Sequence, residues 1–191
     1  LVGEQVLFFP DSYRRPYQIE DTDNANVLLR AEVLNRLSNS GQPLIVVSYP
    51  EALFEKVITR KQLEQSTLKI NKGDQLTIEL LNEVLFSYNF NRTDFVTEPG
   101  EFSVRGGIVD VFSFSNNEPY RIEFFGNEVE SIRTFDVETQ LSTTQLSKIT
   151  IIPNVENKEG NEVRQSFLEY ISEQTLLISK ETSTFGAKID K

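Results

Sequence analysis

Three carboxylates in this sequence lie close enough together to do acid–base chemistry: Glu98, Glu101 and Asp110. Glu98 and Glu101 flank a Pro-Gly pair, which is typical of an exposed turn and favours a structural role for both. Asp110 falls inside a strand-like run, where a buried carboxylate needs a cation, and Arg105 or Arg121 can supply it. An enzyme built on these acids would need Asp110 and a second carboxylate within about 10 Å around an open cleft. We expect no catalytic residue here.

A second candidate is Arg105-Gly106-Gly107, which resembles a phosphate-binding loop because adjacent glycines let backbone N–H groups approach an anion. No helix follows these glycines, however, and the next residues, 108–111, are strand-like. A bulge or a tight turn therefore accounts better for the two glycines.

The strongest candidate is the strand-like segment 120–125, followed by the hairpin signal Gly126-Asn127. A two-residue turn there places Phe125 opposite Glu128 and Arg121 opposite Ile132. Alternation then predicts one face carrying Arg121, Glu123, Phe125, Glu128, Glu130 and Ile132, and a more apolar core face carrying Tyr120, Ile122, Phe124, Val129 and Arg133.

Arginine and aromatic side chains are the usual energetic anchors of protein interfaces. We therefore expect the first face to bind a partner protein, with Arg121 and Phe125 in the open. The alternative is a charged, solvated face on which Phe125 lies over the sheet edge.

Composition excludes several other functions. The chain has no cysteine, so it has no disulfide and no thiolate metal site, and its lack of histidine removes most imidazole chemistry and zinc sites. It lacks the GxxxxGK[ST] phosphate loop, so we predict no ATP, metal or other cofactor in this chain. The net charge of −10 disfavours independent binding to nucleic acid. No run approaches the roughly 20 apolar residues that cross a bilayer, so we predict no membrane partner. The sequence opens LVGEQVLFFPD without an initiator Met or a basic-then-apolar leader, so we expect an internal piece of a larger cytoplasmic protein.

Hydrophobic patterning predicts α/β structure followed by an antiparallel sheet with one packed helix. The expected elements are a buried strand over 6–9, a helix capped by Asp21, Thr22 or Asp23 through Leu37, a strand over 43–49 buried on both faces, a helix over 51–58, a strand over 67–70, a helix capped by Asp74 through Phe86, strands over 94–97, 102–105, 108–114, 120–125, 128–135 and 146–152, and a helix over 162–173 with a frayed tail beyond Ile178.

The string EPGEFSVRGGIVDVFSFSNNEPYRIEFFGNEVESIRTFD (98–136) strongly resembles the domain shared by the excision-repair helicase UvrB and the bacterial transcription-repair coupling factors. The closing IIP fits this pattern, and LFFPD, RAEVLNRL and LIVVSYPEAL upstream resemble the adjoining first domain of the coupling factors. The resemblance covers roughly 6–178. The coupling factors fit better than UvrB, because the DNA-threading β-hairpin of UvrB has no counterpart between Leu37 and Leu44.

The resemblance implies a degenerate P-loop, helicase-like parallel-sheet lobe with an inserted, mainly antiparallel β-rich α+β domain. It implies boundaries at 1–65 for the first lobe, 66–153 for the inserted domain and 154–191 for the return to the first lobe. The first lobe is expected to be only partly present, so the sequence leaves any remaining nucleotide pocket open.

By the family pattern, the inserted domain recruits the damage sensor UvrA through Arg105, Arg121 and Phe125. From the predicted outer face we add Glu123, Glu128 and Ile132 as supporting contacts. Further implied partners lie with other domains of the parent protein: RNA polymerase, double-stranded DNA, ATP with magnesium at a motor, and a C-terminal inhibitory domain that covers this surface. A UvrB-like fragment that handles nucleic acid is the alternative.

Overall fold

The computed structural model describes residues 6–12, 24–39, 41, 43–114, 116–155 and 163–179. In chain order the elements are β1 (Val6–Phe9), α1 (Asn24–Asn39), β2 (Ile45–Ser48), α2 (Pro50–Leu53), β3 (Lys56–Ile58), α3 (Arg60–Gln65), β4 (Leu68–Asn71), α4 (Ile78–Ser87), β5 (Asn91–Arg92), β6 (Glu101–Arg105), β7 (Ile108–Val111), β8 (Tyr120–Phe125), β9 (Glu128–Phe135), β10 (Ser142–Leu146), β11 (Lys148–Ile151), β12 (Arg164–Ser166) and α5 (Phe167–Tyr170). The fold is mixed α/β, and most of its strand pairs are antiparallel.

The first strand–helix–strand unit has the predicted parallel pairing, with β1 beside β2. Helix α1 buries Val27, Ala31 and Leu34 on one stripe, as its periodicity predicted. The expectation that β2 is covered on both faces is wrong, because Ile45 and Val47 are about half exposed. The predicted caps at 21–23 lie outside the described residues.

The segment after β2 differs from the single predicted helix over 51–58. Helix α2 ends at Leu53, and β3 follows it and pairs with β12, so that 164–166 return to the first part of the chain. The predicted helix over 162–173 is therefore mostly wrong, since only α5 is helical, and its expected start at Glu162 lies outside the described residues. The predicted frayed tail also lies largely outside them.

Strand β4 forms as predicted and pairs with β11. Helix α4 begins later than expected, because Thr77 caps it by accepting a hydrogen bond from the backbone N–H of Leu80. The carboxylate of Asp74 instead accepts the backbone N–H of Asn71, and so closes the turn before the helix.

The six-stranded sheet has the order β10-β9-β8-β7-β6-β5. Strands β8 and β9 have their predicted bounds, whereas β7 ends at Val111 and the expected strand over 94–97 is an irregular loop. The prediction also missed β10. One side of this sheet, which we call the inner face, packs into the main core together with Leu81 and Leu85 of α4.

Candidate protein-interaction surface

The opposite side of the sheet, which we call the outer face, carries the candidate residues. Asp110 pairs with Ser103 on one side and with Arg121 on the other, so β6, β7 and β8 present alternate residues in one direction. Arg105, two residues beyond Ser103, and Phe125, four beyond Arg121, follow the same alternation. The three residues proposed for binding therefore share one side of the sheet, as expected.

A bulge alters the predicted pairing of β8 with β9. Phe125 lies opposite Glu128, as predicted, but Glu123 pairs with Ser131 while Phe124 pairs with Val129, which leaves Glu130 as an extra residue. The predicted register of Arg121 is therefore wrong.

This extra residue exchanges the faces of the following residues on β9. Arg121 lies opposite Arg133, which stands on the outer face, and Ile132 points inward opposite Ile122 and is fully buried. A supporting contact from Ile132 is therefore excluded. The other supporting candidates stay accessible: Glu128 is exposed, and Glu123 is partly exposed and accepts bonds from Ser131 and Arg133.

Asp110 joins the two arginines. Its carboxylate is 1% exposed and accepts hydrogen bonds from Arg121 Nε at 2.7 Å and Nη2 at 2.9 Å, and one from Arg105 Nη2. This hydrogen bonding raises the pKa of Arg121 above its usual value. The expected ion pair at Asp110 is confirmed, and both arginines take part in it.

Two loops, which we call the covering loops, lie over the part of the outer face near Asp110: 93–98 and 136–141. They are joined where Gln140 Nε2 donates to the carbonyl of Val96 at 3.3 Å. Beneath them Val96 packs with Phe112 and Phe135 in a second, smaller core.

Arg121 lies within this covered region. Its guanidinium carbon is 4.5 Å from the centre of the Phe135 ring, and its Nη1 donates to the carbonyl of Gln140 at 3.0 Å. Gln140 has φ of +59°, an uncommon conformation for a residue with a side chain. The side chain of Arg121 is only 14% exposed, so the expectation of an uncovered guanidinium is wrong for this residue.

The other part of the outer face is open, and we call it the hairpin end because two tight turns meet there. Gly106 and Gly126 each have φ of +60°, which the first position of a two-residue hairpin turn requires. A side chain at Gly107 would be crowded, since a Cβ there would lie 3.0 Å from the carbonyl oxygen of Phe124. The turn interpretation of the glycine pair is confirmed.

At the hairpin end Phe125 is 79% exposed and Arg105 is 39% exposed. They stand two strands and two residues apart, which places their Cα atoms on the order of 12 Å from each other. An exposed phenylalanine and a partly exposed arginine on one side of the sheet form an arrangement that a protein partner can bury.

Of the two remaining candidate acids, Glu101 has a structural role. Glu101 accepts the backbone N–H groups of Thr97 and Glu98 at 2.8 and 3.0 Å, and Glu98 is exposed, as the turn interpretation predicted. A groove of about 200 Å³ lies elsewhere, lined by Asn35, Ser38, Asn39, Arg60, Leu63, Glu64, Thr67 and Lys69, and contains none of these acids.

Across the described ranges, no group of three potential metal ligands occurs, and no helix is long and apolar enough to span a membrane.

The predictions missed the covering loops and with them the exposed side chain of Phe95. The signal was present in Thr93 and Asp94, whose side chains favour local turns over strands. Thr93 does bond locally, donating from its hydroxyl to the carbonyl of Phe95.

Comparison with known families identifies the sheet region. Residues 68–156 match the family model of the UvrB interaction domain, so the sheet region of this chain is similar to that family.

The similar curated proteins share a more specific name, transcription-repair-coupling factor. Over 153 residues, or 80% of this chain, it is 31% identical to the transcription-repair-coupling factor of Haemophilus influenzae, of which it covers 13%. It is 36% identical over 125 residues to the Bacillus subtilis transcription-repair-coupling factor, and 27% identical over 150 residues to that of Escherichia coli. These matches cover 65% and 78% of this chain, and 10% and 13% of those relatives. The expected resemblance is confirmed, and the chain spans about an eighth of the length of the curated relatives it matches.

Proposed function

We propose that this chain is the part of a transcription-repair-coupling factor that recruits the damage-recognition protein UvrA, and that it catalyses no reaction itself. Arg105 and Phe125 are the proposed direct contacts, and Arg121 is the proposed supporting residue beneath the covering loops. The observation that carries the proposal is the 79% exposure of Phe125 on the same side of the sheet as a partly exposed arginine. The match of the surrounding sheet to an interaction-domain family supports it.

The geometry divides the work among the three residues. Phe125 offers an aromatic ring that a partner's apolar pocket can bury, and Arg105 offers charge-assisted hydrogen bonds to partner carboxylates. Arg121 acts mainly by fixing Asp110, which in turn holds Arg105. A preorganised side chain loses less conformational entropy on binding, so this arrangement favours association.

Titration calorimetry of the chain with purified UvrA tests the proposal. We expect Phe125→Ala and Arg105→Ala each to weaken association by about ten-fold or more. The matched control is Leu80→Ala, because Leu80 is an exposed apolar residue on α4, the helix that packs with the inner face. Binding that survives both surface substitutions unchanged would exclude the proposed contact.

The same relationship supports a wider proposal for the parent protein. There, the first strand–helix–strand unit is a degenerate helicase-like lobe, the recruiting domain spans 66–153, and 154–191 return to the first lobe. Motor domains that use ATP and magnesium, contacts to RNA polymerase and double-stranded DNA, and a C-terminal domain that covers the recruiting surface belong to other parts of that protein. Its setting is the bacterial cytoplasm, and its task is excision repair at stalled polymerase.

Handling of nucleic acid, as in a UvrB-like fragment, is the alternative function, and a gel-shift experiment distinguishes it from recruitment of a protein. A chain of net charge −10 repels a polyanion, so we expect no gel shift of single-stranded or bubble DNA at physiological salt. A salt-dependent shift at micromolar concentration would favour the nucleic-acid function instead.

A further inference from the structure

We infer that Phe95 is a second aromatic contact for the partner protein, placed beside Arg105. This inference rests on the proposed function and extends its contact surface beyond Arg105, Arg121 and Phe125. The ring of Phe95 is 61% exposed, and the guanidinium carbon of Arg105 lies 5.3 Å from its centre. Phe95 and Phe125 are the two most exposed phenylalanines among the residues that the structure describes.

The loop that carries Phe95 is held in place by its neighbours. The carbonyl of Asp94 accepts bonds from Ser103 Oγ at 3.0 Å and from Arg105 Nη1 at 3.2 Å. On the other side of Phe95, the side chain of Val96 is fully buried in the second core. The loop is therefore fixed on both sides of a residue whose own side chain faces outward.

A loop that is already fixed lowers the conformational-entropy cost of binding. A fixed backbone leaves only the two side-chain torsions of Phe95 to be ordered when a partner covers the ring. Burial of an exposed apolar ring lowers the free energy of association in proportion to the area removed from water.

The contact with Arg105 indicates the chemistry of the partner. Arg105 has one nitrogen on Asp110 and one on Asp94, and it remains 39% exposed toward solvent. A partner carboxylate that approaches this guanidinium would be shielded from water by the Phe95 ring, which strengthens the charge-assisted bond. The partner surface that fits is therefore acidic at its centre and apolar on both sides, where it meets Phe95 and Phe125.

The test measures association of UvrA with the full 191-residue chain by calorimetry, using Phe95→Ala, Phe95→Leu, Phe125→Ala and the Leu80→Ala control. We expect Phe95→Ala to weaken association about ten-fold with an unchanged melting temperature. Phe95→Leu retains apolar bulk but loses the ring–cation contact, so we expect a loss of about three-fold. This variant preserves the loop's apolar side chain and so answers the question even if Phe95→Ala melts early.

A double-mutant cycle that combines a Phe95 substitution with Arg105→Ala provides the second measurement of association. If Phe95 acts together with Arg105, the loss in the double variant is smaller than the product of the two single losses. Wild-type affinity in both Phe95 variants, alongside a loss in Phe125→Ala, would overturn this inference and leave the proposed function standing. Wild-type affinity in the Phe95 and Phe125 variants alike would overturn both.

Discussion

The two halves of the outer face use similar residue types for different purposes. Under the covering loops, Asp110, Arg121 and Phe135 form a carboxylate–cation–ring arrangement that is almost closed to solvent. At the hairpin end, Arg105 and Phe125 stand in the open. An arginine beside an aromatic ring therefore does not by itself mark a binding site, because a loop that packs over it converts the same pair into a structural contact.

The difference is also energetic. Removing one partner from a buried ion pair leaves an uncompensated charge in the interior, whereas trimming an exposed ring changes little in the free protein. Substitutions in the covered half should therefore lower the free energy of unfolding, and those at the hairpin end should lower affinity. The following experiments test this division, in order of decreasing effect on stability.

Among the charged residues of the outer face, the largest loss is expected for Asp110→Ala, which leaves Arg121 without its main partner beneath the covering loops. We expect the free energy of unfolding to fall by about 3 kcal/mol in urea titration. Glu123→Ala is the matched control, since its pair with Arg133 is about one-third exposed and should contribute less than about 1 kcal/mol. Equal losses in the two variants would contradict the distinction between the two halves.

Arg121→Ala and Arg105→Ala separate the two cations. We expect Arg121→Ala to cost about 2 kcal/mol of stability, because it also removes the bond to Gln140 and the contact with Phe135. Arg105→Ala should cost less than about 1 kcal/mol, since that side chain is partly solvated. The reverse order in urea titration would show that exposure does not separate their roles.

Phe125→Ala should leave the free energy of unfolding within about 0.5 kcal/mol of the wild-type value, because the ring is mostly in solvent. Phe135→Ala is the contrasting variant, and removing its fully buried ring should cost about 3 kcal/mol or more. Thermal melts of both variants under identical conditions provide the comparison. A clear drop in the melting temperature of Phe125→Ala would mean that its ring packs more firmly than its exposure indicates.

The smallest effect concerns acid pH and one covering loop. The backbone N–H of Thr139 and its hydroxyl donate to Asp136 and lower the pKa of that carboxyl. Because the folded pKa is lowered, the stabilisation is present above the unfolded value of about 3.9 and is lost as pH falls through the folded pKa. In unfolding measured between pH 7 and pH 3, we expect the difference between the wild-type chain and Asp136→Asn to shrink. A constant difference would exclude the titration of Asp136 as its cause.

Local patterning predicted the strands that hold the site. Alternation located β8 and β9 with their observed bounds, and Gly106-Gly107 and Gly126-Asn127 marked the turns of the two hairpins. The same reasoning failed at Ile132, because the bulge at Glu130 lies among polar residues whose order fits either register. It also failed at 94–97, where tertiary contacts with Ser103, Arg105 and Gln140 hold an irregular loop.

By itself, the sequence determined which residues alternate along each strand and where the chain turns, since both follow from the geometry of neighbouring residues. It also determined that Asp110 needs a cation and that an arginine and a phenylalanine share one side of β8. Only the tertiary structure decided which of these side chains meet solvent. Burial depends on segments distant in sequence, here the two covering loops, and no local pattern encodes how those segments pack over Arg121 while leaving Phe125 exposed.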